Sequence, residues 1–191
     1  MDLVIEPSRT ALVVIDLQRG IVSFPAAPHA AADVIGNVAR IAEAMRARGG
    51  QVVLVHVTPS ADGRDGLKPI TDAPPQARGP MPPDWAEILP EIGPRDGDIV
   101  ITKRQWGAFY GTELDLQLRR RGIDTIVLTG ISTTMGVEST ARDAFERGYQ
   151  QIFVEDAMAA RGADEHNATV STVFPRMGRV RSTAEVLAAL A

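Results

Sequence analysis

Ala11-Leu12-Val13-Val14-Ile15-Asp16-Leu17-Gln18 is the stretch that decides the fold: an unbroken apolar run, ending in three β-branched residues, leads straight into a carboxylate. Apolarity without alternation is the pattern of a strand buried on both faces. The same composition recurs in Val52-Val53-Leu54-Val55-His56-Val57, Asp98-Ile99-Val100-Ile101, Thr125-Ile126-Val127-Leu128-Thr129 and Gln151-Ile152-Phe153-Val154, with a weaker sixth run at Gly178-Arg179-Val180-Arg181. Between these runs the apolar spacing turns helical. Val34, Ile35, Val38, Ile41, Ala42 and Met45 mark one helix that Gly49-Gly50 stops. Thr112-Glu113-Leu114-Asp115 resembles a capping box with Asp in place of the usual Glu or Gln, and the helix it opens ends at Gly122. Glu138 to Arg147 fits another helix, and Ser182-Thr183-Ala184-Glu185 caps a final short one. Strands alternating with helices imply right-handed crossovers and a parallel sheet. The expectation is a single domain over residues 1–191: a three-layer α/β/α, Rossmann-like fold on a six-stranded parallel sheet.

One segment breaks the rhythm. From Thr58 to about Pro94 the chain is rich in Pro, Gly and Asp, with Pro74-Pro75 and Pro80-Met81-Pro82-Pro83. A connection this long inside a compact domain reads as a lid, a binding loop or an oligomer contact.

Composition narrows the function. Net charge is −4 with acids and bases interleaved, so nothing suggests a nucleic-acid groove or an anionic membrane surface. The densest basic run, Arg119-Arg120-Arg121, closes a helix, where positive charge complements the carbonyl end of the dipole. There is no cysteine, which excludes disulfides, thiolate metal sites and cysteine nucleophiles. Met1 to Glu6 lacks the basic-then-apolar pattern of a signal peptide, and no apolar stretch approaches the ~18 residues of a membrane span, so a cytoplasmic protein is expected.

In an open parallel sheet ligands bind beyond the carboxyl ends of the strands. That rule selects Asp16, the loop after His56, Lys103, and Gly130-Ile131-Ser132-Thr133-Thr134. Asp16 and Lys103 hold the same position relative to their strands and are expected to meet as a partly buried pair on adjacent strand ends. Each draws the other toward its charged form, while burial opposes both. The run from Gly130 to Gly136 leads directly into a helix; it reads either as an ordinary strand-to-helix turn or as a cradle of backbone N–H groups for an oxyanion.

These residues resemble a family. Ala11 to Gln18 is similar to the opening motif of the isochorismatase-like hydrolases. Lys103-Arg104-Gln105-Trp106-Gly107-Ala108-Phe109-Tyr110-Gly111-Thr112 looks like their lysine motif, and Gly130 to Ala144 resembles the motif that normally carries a cysteine. Asp156-Ala157-Met158-Ala159-Ala160 resembles their Asp-Ala segment. Gly136 falls at the cysteine position, as in the family's YecD-like bacterial members. The resemblance implies Asp16 and Lys103 as catalytic residues, with Gly136 and Ser132 lending backbone donors beside a non-proline cis peptide at Ile131-Ser132. It further implies a small-molecule pocket built from Gln18, Phe24, Trp106, Phe109, Ile131, Ser132, Thr133 and Met135, in a homo-oligomer, dimer or tetramer, without a cofactor.

Without sulfur, covalent amide hydrolysis has no nucleophile. Ser132, Thr133 and Thr134 stand in another register, and no histidine in the sequence is visibly placed to activate them. Water attack remains, with Asp16 either protonating a vinyl ether or acting as base toward water on an activated C–N or C–O bond. Val57-Thr58-Pro59-Ser60 stands where dedicated isochorismatases carry a substrate glutamine, and Ser132-Thr133-Thr134 where they carry aromatic and histidine residues, so a substrate other than isochorismate is expected. The Asp-x-His pair with which nicotinamidases hold a metal is missing, His29, His56 and His166 are widely scattered, and no metal ligand is expected. The rival reading is a small-molecule binding protein that kept the pocket and lost turnover.

Overall fold

The computed structural model describes residues 3–72 and 81–190; Pro74, Pro75 and Pro80 lie outside the described residues. Six parallel strands form one sheet: β1 (Thr10–Ile15), β2 (Gln51–Val57), β3 (Ile99–Lys103), β4 (Thr125–Ile131), β5 (Gln150–Ala159) and β6 (Arg179–Arg181). Their order is β3-β2-β1-β4-β5-β6, so the chain winds one way from β1 to β3 and the other way from β4 to β6. The helices are the single turn α1 (Arg19–Val22), α2 (Ala31–Ala47), α3 (Leu114–Arg120), α4 (Glu138–Glu146), α5 (Ala163–Ala168) and α6 (Thr183–Ala189). Among the described residues no helix is long and apolar enough to cross a membrane.

Alternate residues of each central strand feed two cores. Leu12, Val14, Val52, Leu54, Val127 and Ile152 pack against Val34, Val38, Ile41 and Met45 of α2 and Val186 of α6. Ala11, Val13, Ile15, Val53, Ile126 and Phe153 pack against Leu114 and Leu118 of α3 and Ala141 and Ala144 of α4. Each large aliphatic side chain taken fully out of water contributes about 1.5–3 kcal/mol, which explains why the central strands are apolar without alternation. The edge strand β3 departs from that pattern. Ile99, Ile101 and Lys103 are buried, whereas Val100 remains 40% exposed.

Two local readings change and one holds. The box at Thr112–Asp115 does not close; α3 begins one residue later, and the Thr112 hydroxyl accepts from Leu114 N at 3.2 Å as a short turn. The Ser182 box forms, its Oγ accepting from Glu185 N while Glu185 Oε2 accepts from Ser182 N. The passage from β4 to α4 is no ordinary turn: Thr133–Val137 is a π-helical turn closed by Val137 N donating to Ser132 O. Such turns are frequent at functional sites.

The last part of the long connection is docked onto the domain. Gly20 N and Arg19 N donate to Trp85 O and Glu87 O, Leu89 N donates to Leu17 O, and Leu89 and Ile92 join the α2 core. Residues 84–93 thus cover the segment that follows β1.

Candidate active site

The winding direction reverses between β1 and β4, and the crevice beyond their carboxyl ends is where open α/β sheets bind ligands. Asp16 leaves β1 at this point with φ 54°, and the π turn leaves β4 on the other side. A positive φ is uncommon outside glycine, and it turns the carboxylate away from the strand direction. Gly130 permits the close approach of the two strands: a Cβ there would lie 2.0 Å from Ile15 O.

Asp16 and Lys103 meet. Nζ donates to Asp16 Oδ2 at 2.7 Å and to Trp106 O at 2.6 Å, with the lysine side chain 1% and the aspartate side chain 7% exposed. The two do not sit on adjacent strand ends, because β2 lies between β1 and β3. Two strand spacings of about 4.8 Å separate their backbones. The long lysine stem spans that gap, which no shorter cation could do.

Burial is the largest influence on Asp16 and pushes its carboxyl from 3.8 up to about 6, against the opposing pull of the Lys103 charge and hydrogen bond. Its second oxygen, Oδ1, is buried and has no partner among the described residues. Ser132 Oγ is also buried and unpartnered, just past the cis Ile131–Ser132 peptide. An unmet acceptor and an unmet hydroxyl are costly in a protein interior, by about 1–3 kcal/mol each.

Gly136 faces the pair. A Cβ on it would lie 3.1 Å from Asp16 Oδ2 and 3.2 Å from Lys103 Nζ, and 2.8 Å from Ile15 Cγ2. A side chain at this position would therefore touch both charged groups, but the Ile15 methyl already crowds it. The glycine is what lets the π turn close down on β1.

The other expected binding residues divide. Ile131 is buried, Met135 is half-buried, and Thr133 is buried with its hydroxyl 2.8 Å from His166 Nδ1. Trp106 is 61% exposed, and Phe24 is half exposed with the Arg161 guanidinium over its ring. Phe109 lies beneath the surface in the α3/α4 core, its ring 5.7 Å from that of Tyr149, so here it packs rather than lines a pocket. Gln18 is fully buried: its Nε2 donates to Val57 O and Trp85 O, and its Oε1 accepts from Val57 N. With both N–H groups in use, it braces the covering loop.

The histidines are not all scattered. His56 is held by Ala86 O and Thr102 Oγ1. His29 and His166, however, meet edge to face at 5.6 Å, with Glu155 Oε2 3.1 Å from His29 Nε2. Burial, with His29 adding to it, lowers His166 to about 4. A histidine thus does sit beside Thr133, a pairing that no local spacing announced. A separate concavity lined by Arg142, Thr172, Val173, Arg176 and Met177 holds none of the expected site residues and no acidic side chain.

Sheet order, reversal point and flanking helices define the chain as a three-layer α/β protein with an open parallel sheet. The Isochorismatase domain model matches residues 10–185, and the chain belongs to the isochorismatase family of hydrolases. It is 52% identical over 181 residues to the isochorismatase family protein YecD of Escherichia coli O157:H7, covering 95% of this chain and 96% of that one. The solved isochorismatase family protein BTH_II2229 of Burkholderia thailandensis superposes with a TM-score of 0.92 at 46% identity, over 98% of this chain and 97% of that one. Ureidoacrylate amidohydrolase RutB of Rhizobium rhizogenes is 33% identical over 202 residues, covering 92% of this chain and 81% of its own length.

Proposed function

We propose that the protein hydrolyses a small molecule by direct attack of water, with Asp16 as proton acceptor, Lys103 as its charge partner, and no covalent intermediate. The observation that carries this reading is the unpartnered Oδ1 of Asp16, buried beside an ammonium held on Oδ2. With its carboxyl near 6, Asp16 is mostly ionised at pH 7, so the group is set to take a proton from water. Lys103 keeps that charge in place and stabilises negative charge developing on substrate. Backbone N–H groups of Ser132 and Gly136 are the proposed donors to that oxygen, with Ile131, Ser132, Thr133, Met135, Trp106 and Phe24 around the substrate. RutB, an amidohydrolase by name, supports an activated C–N or C–O bond as the target. The raised carboxyl supports a second substrate class, because burial favours the protonated form of Asp16 that a vinyl ether needs as its acid. The proposal includes a cytoplasmic location and a homo-oligomer, dimer or tetramer, with the exposed Tyr110 offered as a subunit contact.

A panel of carbamates, ureido acids, amides and vinyl ethers assayed with wild type and Asp16→Ala tests the proposal. Turnover that falls at least about a hundredfold in the variant fits a positioned acid-base group. Turnover that survives the substitution, or saturable binding by the wild type without turnover, would overturn it.

A further inference from the structure

We propose that His29, Glu155 and His166 form a binding site for one divalent transition-metal ion of the zinc class. Their ligand atoms all lie within 4.8 Å of one another. A tetrahedral ion with bonds of about 2.0–2.2 Å spaces its ligand atoms roughly 3.4 Å apart. His29 Nε2 and Glu155 Oε2, at 3.1 Å, already approach that spacing, and small side-chain rotations bring in His166. Two imidazoles and one carboxylate form a donor set that zinc takes while keeping a further position open. The half-exposed His29 and Glu155 leave that position toward solvent.

The three residues come from distant elements whose backbones are fixed. His29 precedes α2, where Ala27 and Ala160 exchange two backbone hydrogen bonds and pin the loop to the end of β5. Glu155 lies in β5 itself. His166 belongs to α5, whose first turn is closed by Glu165 accepting from Gly162 N. The second ring nitrogen of His166 is also occupied. Its Nδ1 lies 2.8 Å from Thr133 Oγ1, and as N–H donor to that hydroxyl it leaves the Nε2 lone pair for an ion. Metal-ligating histidines are usually oriented by such a bond. Thr133 opens the π turn that carries Gly136, so an ion here would tie α5 and the α2 approach to the active-site loop. The position differs from the Asp-x-His pair of nicotinamidases. His56 cannot compete, because both its ring nitrogens are bonded, and the chain has no thiol.

Titration calorimetry with zinc sulfate on metal-stripped wild type at neutral pH tests the site, alongside His29→Ala, Glu155→Gln and His56→Ala. The half-exposed positions of the first two substitutions keep the fold, which circular dichroism checks. One ion per chain is expected, with affinity at least about tenfold weaker in His29→Ala and Glu155→Gln and unchanged in His56→Ala. Zinc should also shift the imidazole NMR resonances of His29 and His166 and leave those of His56 in place. Heat no different from dilution, or equal affinity in wild type and both site variants, would overturn the proposal.

Discussion

Replacing Lys103 by Met removes an ammonium that is 1% exposed and keeps most of its apolar stem. The Trp106 carbonyl and Asp16 Oδ2 each lose their donor, and Asp16 becomes a buried carboxylate with neither oxygen bonded. Removing one partner of a buried ion pair costs about 3–5 kcal/mol, since the remaining charge has no compensation. For a chain of this length that is a fall in Tm of roughly 6–20 °C. The cost depends on pH in a defined direction. In the wild type the folded carboxyl, near 6, already lies above its unfolded value of 3.8, and both influences that lower it come from Lys103. Without them it rises further. A group whose folded pKa is raised favours the fold below its unfolded pKa and loses that contribution as pH rises through the folded value. The deficit of Lys103→Met should therefore be smaller at pH 5, where Asp16 is largely protonated in both proteins and the lost bond to Trp106 O remains, and full at pH 8. Urea unfolding at the two pH values reads the difference. A deficit equal at both, or larger at pH 5, would refute the claim that an unpaired Asp16 charge causes it.

Three further outcomes follow from the same geometry. As proton acceptor, Asp16 should make kcat/KM fall as pH drops through about 6, measured across pH 4.5–8 on whichever substrate the panel yields; a limb rising toward low pH would assign Asp16 the acid role instead. Gly136→Ala puts a methyl 2.8 Å from Ile15 Cγ2, and overpacking of about 1–3 kcal/mol exceeds the ~1 kcal/mol that alanine returns in a helical turn, so the variant should melt lower and turn over more slowly. An unchanged Tm with full activity would show that the loop is looser than described. Ser182→Ala removes the acceptor for Glu185 N at the start of α6 and should cost about 0.5–2 kcal/mol in urea unfolding without altering kcat.

The sheet was legible because its strands lie between two helical layers, where burial on both faces demands the β-branched runs that the sequence displays. The limits were less legible. β5 continues through Glu155, Asp156 and Met158, residues with little strand signature, because it keeps pairing with β4 across a register shift between Leu128 and Gly130. Asp16 and Lys103 were readable from the rule that strand ends carry chemistry, but their separation by β2 was not, since strand order is set by packing rather than by order along the chain. Gln18 and Phe109 show the opposite limit. Each stands in the right motif, yet one braces a loop and the other fills a core, and residue type does not reveal which way a side chain turns. The His29–Glu155–His166 group spans 126 residues between its first two members alone, so no local spacing signals it.

The proposed chemistry depends on a carboxyl group whose proton affinity is set by burial against a single ammonium. Carbon-13 NMR of the Asp16 side chain, titrated in wild type and in Lys103→Met, measures that quantity without a substrate. Titration near 6 in the wild type and distinctly higher in the variant is the predicted result. Titration near the ordinary aspartate value of about 4 in both proteins would contradict it.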